Sequence, residues 1–311
     1  MSDVPVRAVG IDVGGTKLVG AAVAEDGTIV ARARRVSPVG DPDALVEVIA
    51  TLAEELGAGA PVGIGVAGIV DRGGVLVYAP NLDVVDVPLG PALHERLGRR
   101  PVVLNDASAA VVAESRLGAA AGARDVVLLT LGTGIGGGLI VDGSIVEGAN
   151  GFAAELGHVI VEEGGRRCPC GNLGCLEAYA SGTAIGLLAQ ERLAADATTA
   201  LANAETIDGK AVSAAAQAGD EVARQVLAEV GHWLGVGLAG LVNALDPEVV
   251  VIGGGAASHT AGSVLPAATA SMSLRIIGAP PRRPPPIVLA QLGDDAGMLG
   301  AALVAVERDG P

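Results

Sequence analysis

The stretch VRAVGIDVGGTKLVG occupies residues 6–20 and joins two apolar segments through a pair of glycines. Residues 6–13 have the apolar composition of a buried strand, and residues 17–36 continue as two more strands that turn at Asp26-Gly27. An Asp-Gly pair between apolar runs is typical of a β-hairpin. Glycines directly after a strand let backbone N–H groups approach a ligand closely. The stretch therefore predicts a strand, a binding loop and a hairpin at the start of an α/β domain.

The same order of strand, glycine loop and hairpin begins again after Gly118. The segment VVLLTLGTG, residues 126–134, is a strand that runs into glycines, and a second hairpin turns at Asp142-Gly143. Helices are predicted at roughly 43–55, 107–116, 183–195, 211–216 and 220–245, with a last one at the end of the chain. Two α/β domains of similar plan, with a boundary near residues 107–118 and a cleft between them, follow from this repetition.

The composition excludes several classes of function. The chain has 35 acidic and 20 basic residues and a net charge of −15, which repels nucleic acids and anionic lipid surfaces. Its N-terminus has no charged and apolar leader, and its longest uncharged span, residues 249–274, is interrupted by glycines and Pro266. We therefore expect a soluble cytoplasmic protein with neither a nucleic-acid nor a membrane partner.

Three loops share the pattern of glycines after an apolar strand: DVGGTK at 12–17, LGTGIGGG at 131–138 and VIGGGA at 251–256. Together they predict nucleotide binding, because such loops suit phosphate groups. The first is not a Walker A loop, since Thr16 precedes Lys17. Residues 132–137 match the dinucleotide pattern G-x-G-x-x-G, but they lead into a hairpin where that pattern requires a helix, so the match is accidental.

The segment LNDASAA, residues 104–110, places Asp106 after a strand and at the start of a helix. Asp106 can be read as a helix N-cap or as the general base of a phosphoryl transfer, in which one carboxylate accepts the proton of the nucleophile. Asn105 beside it would orient a hydroxyl group. Glu155, His158 and Glu177 flank a cysteine cluster, and such groups suit either the surface or a polyol ligand.

All three cysteines of the chain, Cys168, Cys170 and Cys175, lie within eight positions, and His158 precedes them by ten. Three thiolates and one imidazole make a closed tetrahedral zinc set. Three buried thiols, or one disulfide with a thiol left over, are the alternatives. A structural zinc would fix the loop and the glutamates at its two ends, so the cysteines are predicted to support a binding site instead of performing its chemistry.

The chain resembles the ROK family of sugar kinases, and within it the bacterial glucokinases, over essentially its whole length. The shared motifs follow in the same order: DVGGTK, APNL, LNDASAA, LGTGIGGG, ELGH and CPCGNLGCLE. The resemblance implies an α/β, two-domain, actin-like (ribonuclease H-like) fold with an interdomain cleft. Its small domain would comprise residues 1–107 plus the C-terminal helix 296–311, and its large domain, with the zinc-binding loop, residues 108–295.

The resemblance also implies ATP-dependent phosphorylation of a hexose, first of all glucose, at its 6-hydroxyl, with Mg²⁺ on the phosphates, by a homodimer or homotetramer. Asp106 matches the catalytic base. The residues that match sugar contacts are Asn81, Asn105, Asp106, Glu155, His158 and Glu177. The residues that match nucleotide and metal-water contacts are Asp12, Gly14, Gly15, Thr16, Lys17, Gly132, Thr133, Gly134, Gly253, Gly254 and Gly255. The residues that match the zinc ligands are His158, Cys168, Cys170 and Cys175.

One departure leaves the sugar open. The family usually carries Trp shortly after APNL, where this chain has Val84 or Val85. Another hexose or amino sugar, such as N-acetylmannosamine, allose or fructose, is therefore an alternative to glucose, and polyphosphate is an alternative to ATP. A sugar-sensing repressor would need a helix-turn-helix module ahead of Asp12, where eleven residues stand. A non-catalytic sugar-binding protein would not need the Asn105-Asp106 pair.

Overall fold

The computed structural model describes residues 5–195, 198–278 and 280–309. Contacts divide the chain into unit 1, Met1–Arg124, Gly138–Ala154 and Gln291–Pro311, and unit 2, Asp125–Gly137 and Glu155–Ala290. The boundaries expected from the sequence, at 107/108 and 295/296, stay a prediction.

Unit 1 is built around a five-stranded sheet with the order β3-β2-β1-β4-β8 and a smaller sheet with the order β5-β6-β7. In the large sheet β1 and β8 run parallel to β4, which lies between them, while β2 and β3 form the predicted hairpin. The elements are β1 Ala8–Val13, β2 Lys17–Val23, β3 Ile29–Val36, α1 Pro42–Gly57, β4 Val62–Val66, β5 Ile69–Val70, β6 Leu76–Ala79, β7 Val84–Val87, α2 Leu89–Leu97, β8 Val102–Asn105 and α3 Asp106–Leu117.

The remaining elements of the chain include those of unit 2. These elements are β9 Val126–Leu131, β10 Ile135–Val141, β11 Ser144–Ile145, α4 Glu177–Ala180, α5 Gly182–Ala194, α6 Gly209–Gln217, α7 Glu221–Leu245, β12 Val249–Gly253, α8 Gly255–Ser273, β13 Ile287–Leu289 and α9 Ala296–Asp309. The second sheet has the order β11-β10-β9-β12-β13, with β12 parallel to β9 and β13. Strand β10 begins in unit 2 and ends in unit 1.

Helix α9 lies directly on the large sheet of unit 1, although it is the last element of the chain. A Cβ atom at Gly10 of β1 would lie 1.8 Å from the carbonyl oxygen of Met298, and one at Gly63 of β4 would lie 1.8 Å from that of Ala301. On the other side of α9, a Cβ atom at Gly300 would lie 1.8 Å from the carbonyl oxygen of Ala109 in α3. These glycines let α9 pack closely between the sheet and α3.

The helices predicted from apolar periodicity are present, with ends that shift by a few residues. The side chain of Asp41 caps α1 by accepting a hydrogen bond from the Ala44 N–H. The sequence analysis missed α2, β6, β7 and α8. Helix α8 contains Pro266 and begins among the glycines of the third loop, and both features argue against a helix when only the sequence is read.

Helix α7 is, within the described ranges, the one helix long and apolar enough to cross a membrane by length and composition. The protein buries 61% of its most apolar window. Because Val226, Leu227, Leu234 and Leu238 are all fully buried, α7 has the packing of a core helix of unit 2.

Candidate functional site

Two carboxylates of unit 1 lie at the same edge of its large sheet. Asp12 is near the carboxyl end of β1, and Asp106 follows the carboxyl end of β8. The two strands flank β4 and run parallel to it, so both carboxylates lie at one edge, where ligands of open α/β sheets bind. Gly65 of β4 lies beside Asp106, since a Cβ atom there would be in van der Waals contact with the Asp106 Cα at 3.5 Å.

The N-cap of α3 is Asn105. Its Oδ1 accepts hydrogen bonds from the N–H groups of Ala107 and Ser108, and its Nδ2 donates to the carbonyl oxygen of Gly68 at 3.2 Å. The reading of Asp106 as the N-cap is therefore wrong; Asp106 is the first residue of the helix. Asn105, predicted to orient a hydroxyl group, thus holds the end of β8 and the start of α3 in place.

The pKa of Asp12 is raised from 3.8 to about 7, first by burial and then by the negative charges of Asp106 and Asp294, while Lys17 lowers it. Helix α9 contributes to this burial, because a Cβ atom at Gly297 would lie 3.1 Å from the Asp12 Cγ. An approaching cation stabilises the ionised form of such a carboxylate, because the cation offsets the cost of burying its negative charge.

The raised pKa predicts how stability depends on pH. Between about pH 4 and pH 7 the folded chain keeps a proton on Asp12 that the unfolded chain has lost, so the contribution of this group to the free energy of unfolding falls as the pH rises. We expect Asp12→Asn to gain stability relative to the wild type between pH 4.5 and pH 8, by about 1.4 kcal/mol for each pKa unit. Urea unfolding without ligands checks this, with Asp83→Asn at an exposed aspartate as control; parallel pH profiles of Asp12→Asn and the wild type would contradict it.

The first glycine loop of unit 1 packs against the segment of Asn81. A Cβ atom at Gly15 would lie 2.5 Å from the Asn81 carbonyl oxygen, so this position has no room for a side chain. The loop closes through a hydrogen bond from the Gly14 N–H to the Lys17 carbonyl oxygen, and Ser37 binds the backbone of Gly14 and Thr16. The loop of Gly14, Gly15 and Thr16 thus lies against the backbone of Asn81. The Nζ of Lys17 lies 4.0 Å from Asp294.

Glu114 of α3 is a buried carboxylate that the sequence analysis missed. It is fully buried, and its two oxygens accept hydrogen bonds from the N–H groups of Ala119 at 2.8 Å, Leu292 at 2.8 Å and Gln291 at 2.9 Å. Gly118 leaves room for the carboxylate, since a Cβ atom there would lie 2.1 Å from its Oε2. Glu114 thereby ties α3, which starts at Asp106, to the segment that leads into α9.

In unit 2 the predicted Glu155, His158 and Glu177 surround the cysteines. The Nε2 of His158 lies 3.9 Å from the Glu155 carboxylate, and burial raises the pKa of Glu155, while His158 lowers it. Glu177 accepts a hydrogen bond from the Ile135 N–H at 2.8 Å and lies 3.5 Å from the Cys168 Sγ. A Cβ atom at Gly134 would lie 2.3 Å from the Glu177 Oε2. Glu177 therefore joins the second glycine loop to the cysteine cluster.

The structure brings together the four predicted metal ligands. Ligand atoms of His158, Cys168, Cys170 and Cys175 all lie within 4.8 Å of one another. The Nδ1 of His158 lies 3.7 Å from the Cys168 Sγ, and the Sγ atoms of Cys170 and Cys175 lie 3.6 Å apart, without a disulfide. The chemistry of this donor set, three sulfurs and one imidazole nitrogen, fits a structural zinc.

A cavity of about 660 Å³ in unit 2 is lined by the second and third glycine loops. Of the predicted nucleotide contacts, Gly132, Thr133 and Gly255 line it; Gly254 has a positive φ and lies against the Leu131 carbonyl oxygen, and Gly253 ends β12. Three helices, α5, α6 and α8, begin at cavity-lining glycines. The partial positive charge of helix N-termini favours anions. The sequence analysis missed the lining residues Gly182, Thr183, Gln190, Asp208, Gly209, Lys210 and His259.

Comparisons with known proteins identify the family. The ROK family model matches residues 8–308. The glucokinase of Streptomyces coelicolor is 38% identical over 97% of this chain and 98% of that protein. The N-acetylmannosamine kinase of Citrobacter koseri is 35% identical over 95% and 97%. The crystal structure of a ROK family glucokinase from Streptomyces griseus in complex with glucose and AMPPNP matches with a TM-score of 0.82 and 38% identity over 97% of this chain and 99% of that one.

Both the family model and these relatives cover nearly the whole chain, and the TM-score of 0.82 shows that the chain shares the fold of the solved glucokinase. The chain belongs to the ROK family and has the α/β, actin-like fold of its sugar kinases.

Proposed function

We propose that the chain is an ATP-dependent glucokinase that transfers the γ-phosphoryl group of ATP to the 6-hydroxyl of glucose. The observation that carries the proposal is the pair Asp12 and Asp106 at one edge of the sheet of unit 1, with the pKa of Asp12 raised to about 7. The similarity to glucokinases over nearly the full length supports it.

Asp106 is the proposed general base. As the 6-hydroxyl oxygen attacks the γ-phosphorus, its proton passes to the Asp106 carboxylate, and the bond from phosphorus to the β,γ-bridging oxygen breaks to release ADP. The position of Asp106 at the start of α3 supports this role, because Asn105 fixes the helix end through two hydrogen bonds and binds Gly68 through a third. Asn81, Glu155, His158 and Glu177 are the proposed hexose contacts, by their match to the family motifs.

The cavity of unit 2 is the proposed nucleotide site. Its glycines and Thr133 present N–H and hydroxyl groups, and the starts of α5, α6 and α8 favour phosphate charge. Asp12 is the proposed carboxylate that holds Mg²⁺ through water, with Gly14, Gly15, Thr16 and Lys17 beside it. Mg²⁺, when bound, supplies charge that offsets the phosphates.

One coupled assay over a panel of hexoses and two phosphoryl donors tests whether glucose and ATP are the preferred substrates. We expect glucose with ATP to give the highest kcat/KM, and N-acetylmannosamine, allose, fructose and polyphosphate to give values at least about tenfold lower, because a hydroxyl-binding site discriminates strongly between hydroxyl patterns. A preference for N-acetylmannosamine, for which a relative at 35% identity is named, would contradict the proposed sugar. A preference for polyphosphate would contradict the proposed donor.

A structural zinc held by His158, Cys168, Cys170 and Cys175 is proposed from their geometry. We expect elemental analysis to find one zinc per chain, and Cys170→Ser to lose it together with a large part of the thermal stability of unit 2. Ser108→Ala, at a site in unit 1, is the control and should keep its zinc. A full zinc content in Cys170→Ser would show that another donor set holds the metal. A homodimer or homotetramer stays a proposal that rests on the family resemblance, and a cytoplasmic location stays a proposal that rests on the composition.

A further inference from the structure

A single hydroxyl group joins two parts of the loop that carries the cysteines. This cysteine loop comprises residues 159–176. The Tyr179 hydroxyl, in α4, donates a hydrogen bond to the Glu162 carboxylate and accepts one from the Arg166 N–H at 2.6 Å. Gly165 lies directly over it, since a Cβ atom there would lie 2.0 Å from the hydroxyl oxygen. The hydroxyl therefore holds the loop at Glu162 and Arg166, ahead of its first cysteine.

The ring of Tyr179 connects the same loop to the core of unit 2. Tyr179 is 5% exposed, and its ring centroid lies 4.5 Å from that of Trp233 in α7. The guanidinium of Arg166 lies over the same ring, 5.8 Å from its centroid, and forms a two-bond ion pair with Glu191 of α5 at 2.6 Å. The loop, α5 and α7 thus meet at one side chain.

We propose that Tyr179 is a positioning residue that holds the cysteine loop, and with it His158 and Glu177, in the geometry that binds the sugar; the sugar part rests on the proposed function. Tyr179 lies two residues after Glu177 in the same helix. The cysteine loop begins after His158 and ends before Glu177, so its position sets the distance between these side chains. The loop has two anchors: the four metal ligands, and the tyrosine hydroxyl, which contacts Glu162 and Arg166 between His158 and Cys168.

The chain offers matched variants and a built-in reporter for a test. Trp233 is its only tryptophan, and Tyr78 is the only other tyrosine. Tyr179→Phe removes the hydroxyl and keeps the ring against Trp233, while Tyr78→Phe removes the same atom from a half-exposed side chain of unit 1. Both variants contain zinc if the four ligands suffice to bind it.

We expect Tyr179→Phe to release zinc to a chromophoric chelator at least about fivefold faster than the wild type and Tyr78→Phe, because a buried hydrogen-bonded hydroxyl contributes roughly 1 kcal/mol or more. We also expect chelation to change Trp233 fluorescence in the wild type and in Tyr78→Phe, and to change it less than half as much in Tyr179→Phe. Equal release rates, or equal fluorescence changes, in all three proteins would overturn the proposal. Neither measurement involves a sugar, so both remain valid if the chain does not phosphorylate glucose.

The positioning of the sugar contacts has its own readout. In Tyr179→Phe we expect KM for glucose to rise severalfold while KM for ATP and kcat change less than twofold; unchanged KM for glucose would restrict Tyr179 to holding the loop and overturn its role in sugar binding. If Tyr179→Phe does not fold, Glu162→Ala removes the hydrogen-bond acceptor from the loop side, with the neighbouring exposed Glu163→Ala as control. Identical zinc release in these two variants would then overturn the proposal.

Discussion

Asp106→Asn should reduce kcat with glucose and ATP by at least about 100-fold and leave glucose binding nearly unchanged. The amide has the size of the carboxylate but cannot accept the proton of the 6-hydroxyl, and general base catalysis contributes about 10²–10⁴-fold to a rate. The helix should survive the change, because the cap of α3 is Asn105. Steady-state kinetics give kcat, and isothermal titration with glucose gives the dissociation constant.

A matched control separates catalysis from a change of net charge. Asp86→Asn removes one exposed carboxylate from β7 of the same unit. Asp86 has a φ of +52°, a left-handed conformation that asparagine adopts readily, so this variant should keep wild-type kinetics. If Asp106→Asn kept more than about a tenth of wild-type kcat, Asp106 would not be the base.

Glu114→Ala should lower the free energy of unfolding of unit 1 by about 3 kcal/mol or more. The substitution leaves the N–H groups of Ala119, Gln291 and Leu292 without their buried acceptor, and each unsatisfied group costs about 1–3 kcal/mol. It also leaves a cavity at a site that is fully buried. Urea unfolding followed by circular dichroism measures the loss.

The control for this prediction is Glu95→Ala, which removes an exposed glutamate from helix α2. Exposed substitutions usually change stability by less than about 0.5 kcal/mol. Similar stabilities for Glu114→Ala and Glu95→Ala would mean that water or another group replaces the carboxylate, and that Glu114 does not tie α3 to α9.

The sequence predicts best the features whose residues lie close together along the chain. The three cysteines lie within eight positions, so their spacing alone indicated one site, and the structure brings them together with His158. The glycine loops follow strands that are apolar throughout, and β1, β9 and β12 lie where they were expected. In each case the few residues that make up the sequence pattern are the same residues that form the structural feature.

What the sequence could not predict depends on distant contacts. Glu114 is one glutamate in a helix, and only the fold places it against residues 291 and 292, 177 positions or more away. Gln190, Lys210 and His259 meet in one cavity because α5, α6 and α8 begin near one another. The spacing of residues along the chain does not predict contacts between such distant positions.

The close packing of α9 on β1 and β4 has a consequence for biosynthesis. The ribosome makes residues 296–309 after every strand of their sheet, so the surface around Gly10 and Gly63 stays uncovered until these residues have emerged. Domains normally fold as units in the order of their translation. Here the sheet whose first strand is made early can be covered only after residues 296–309 have been made, and until then its exposed surface is a target for chaperones.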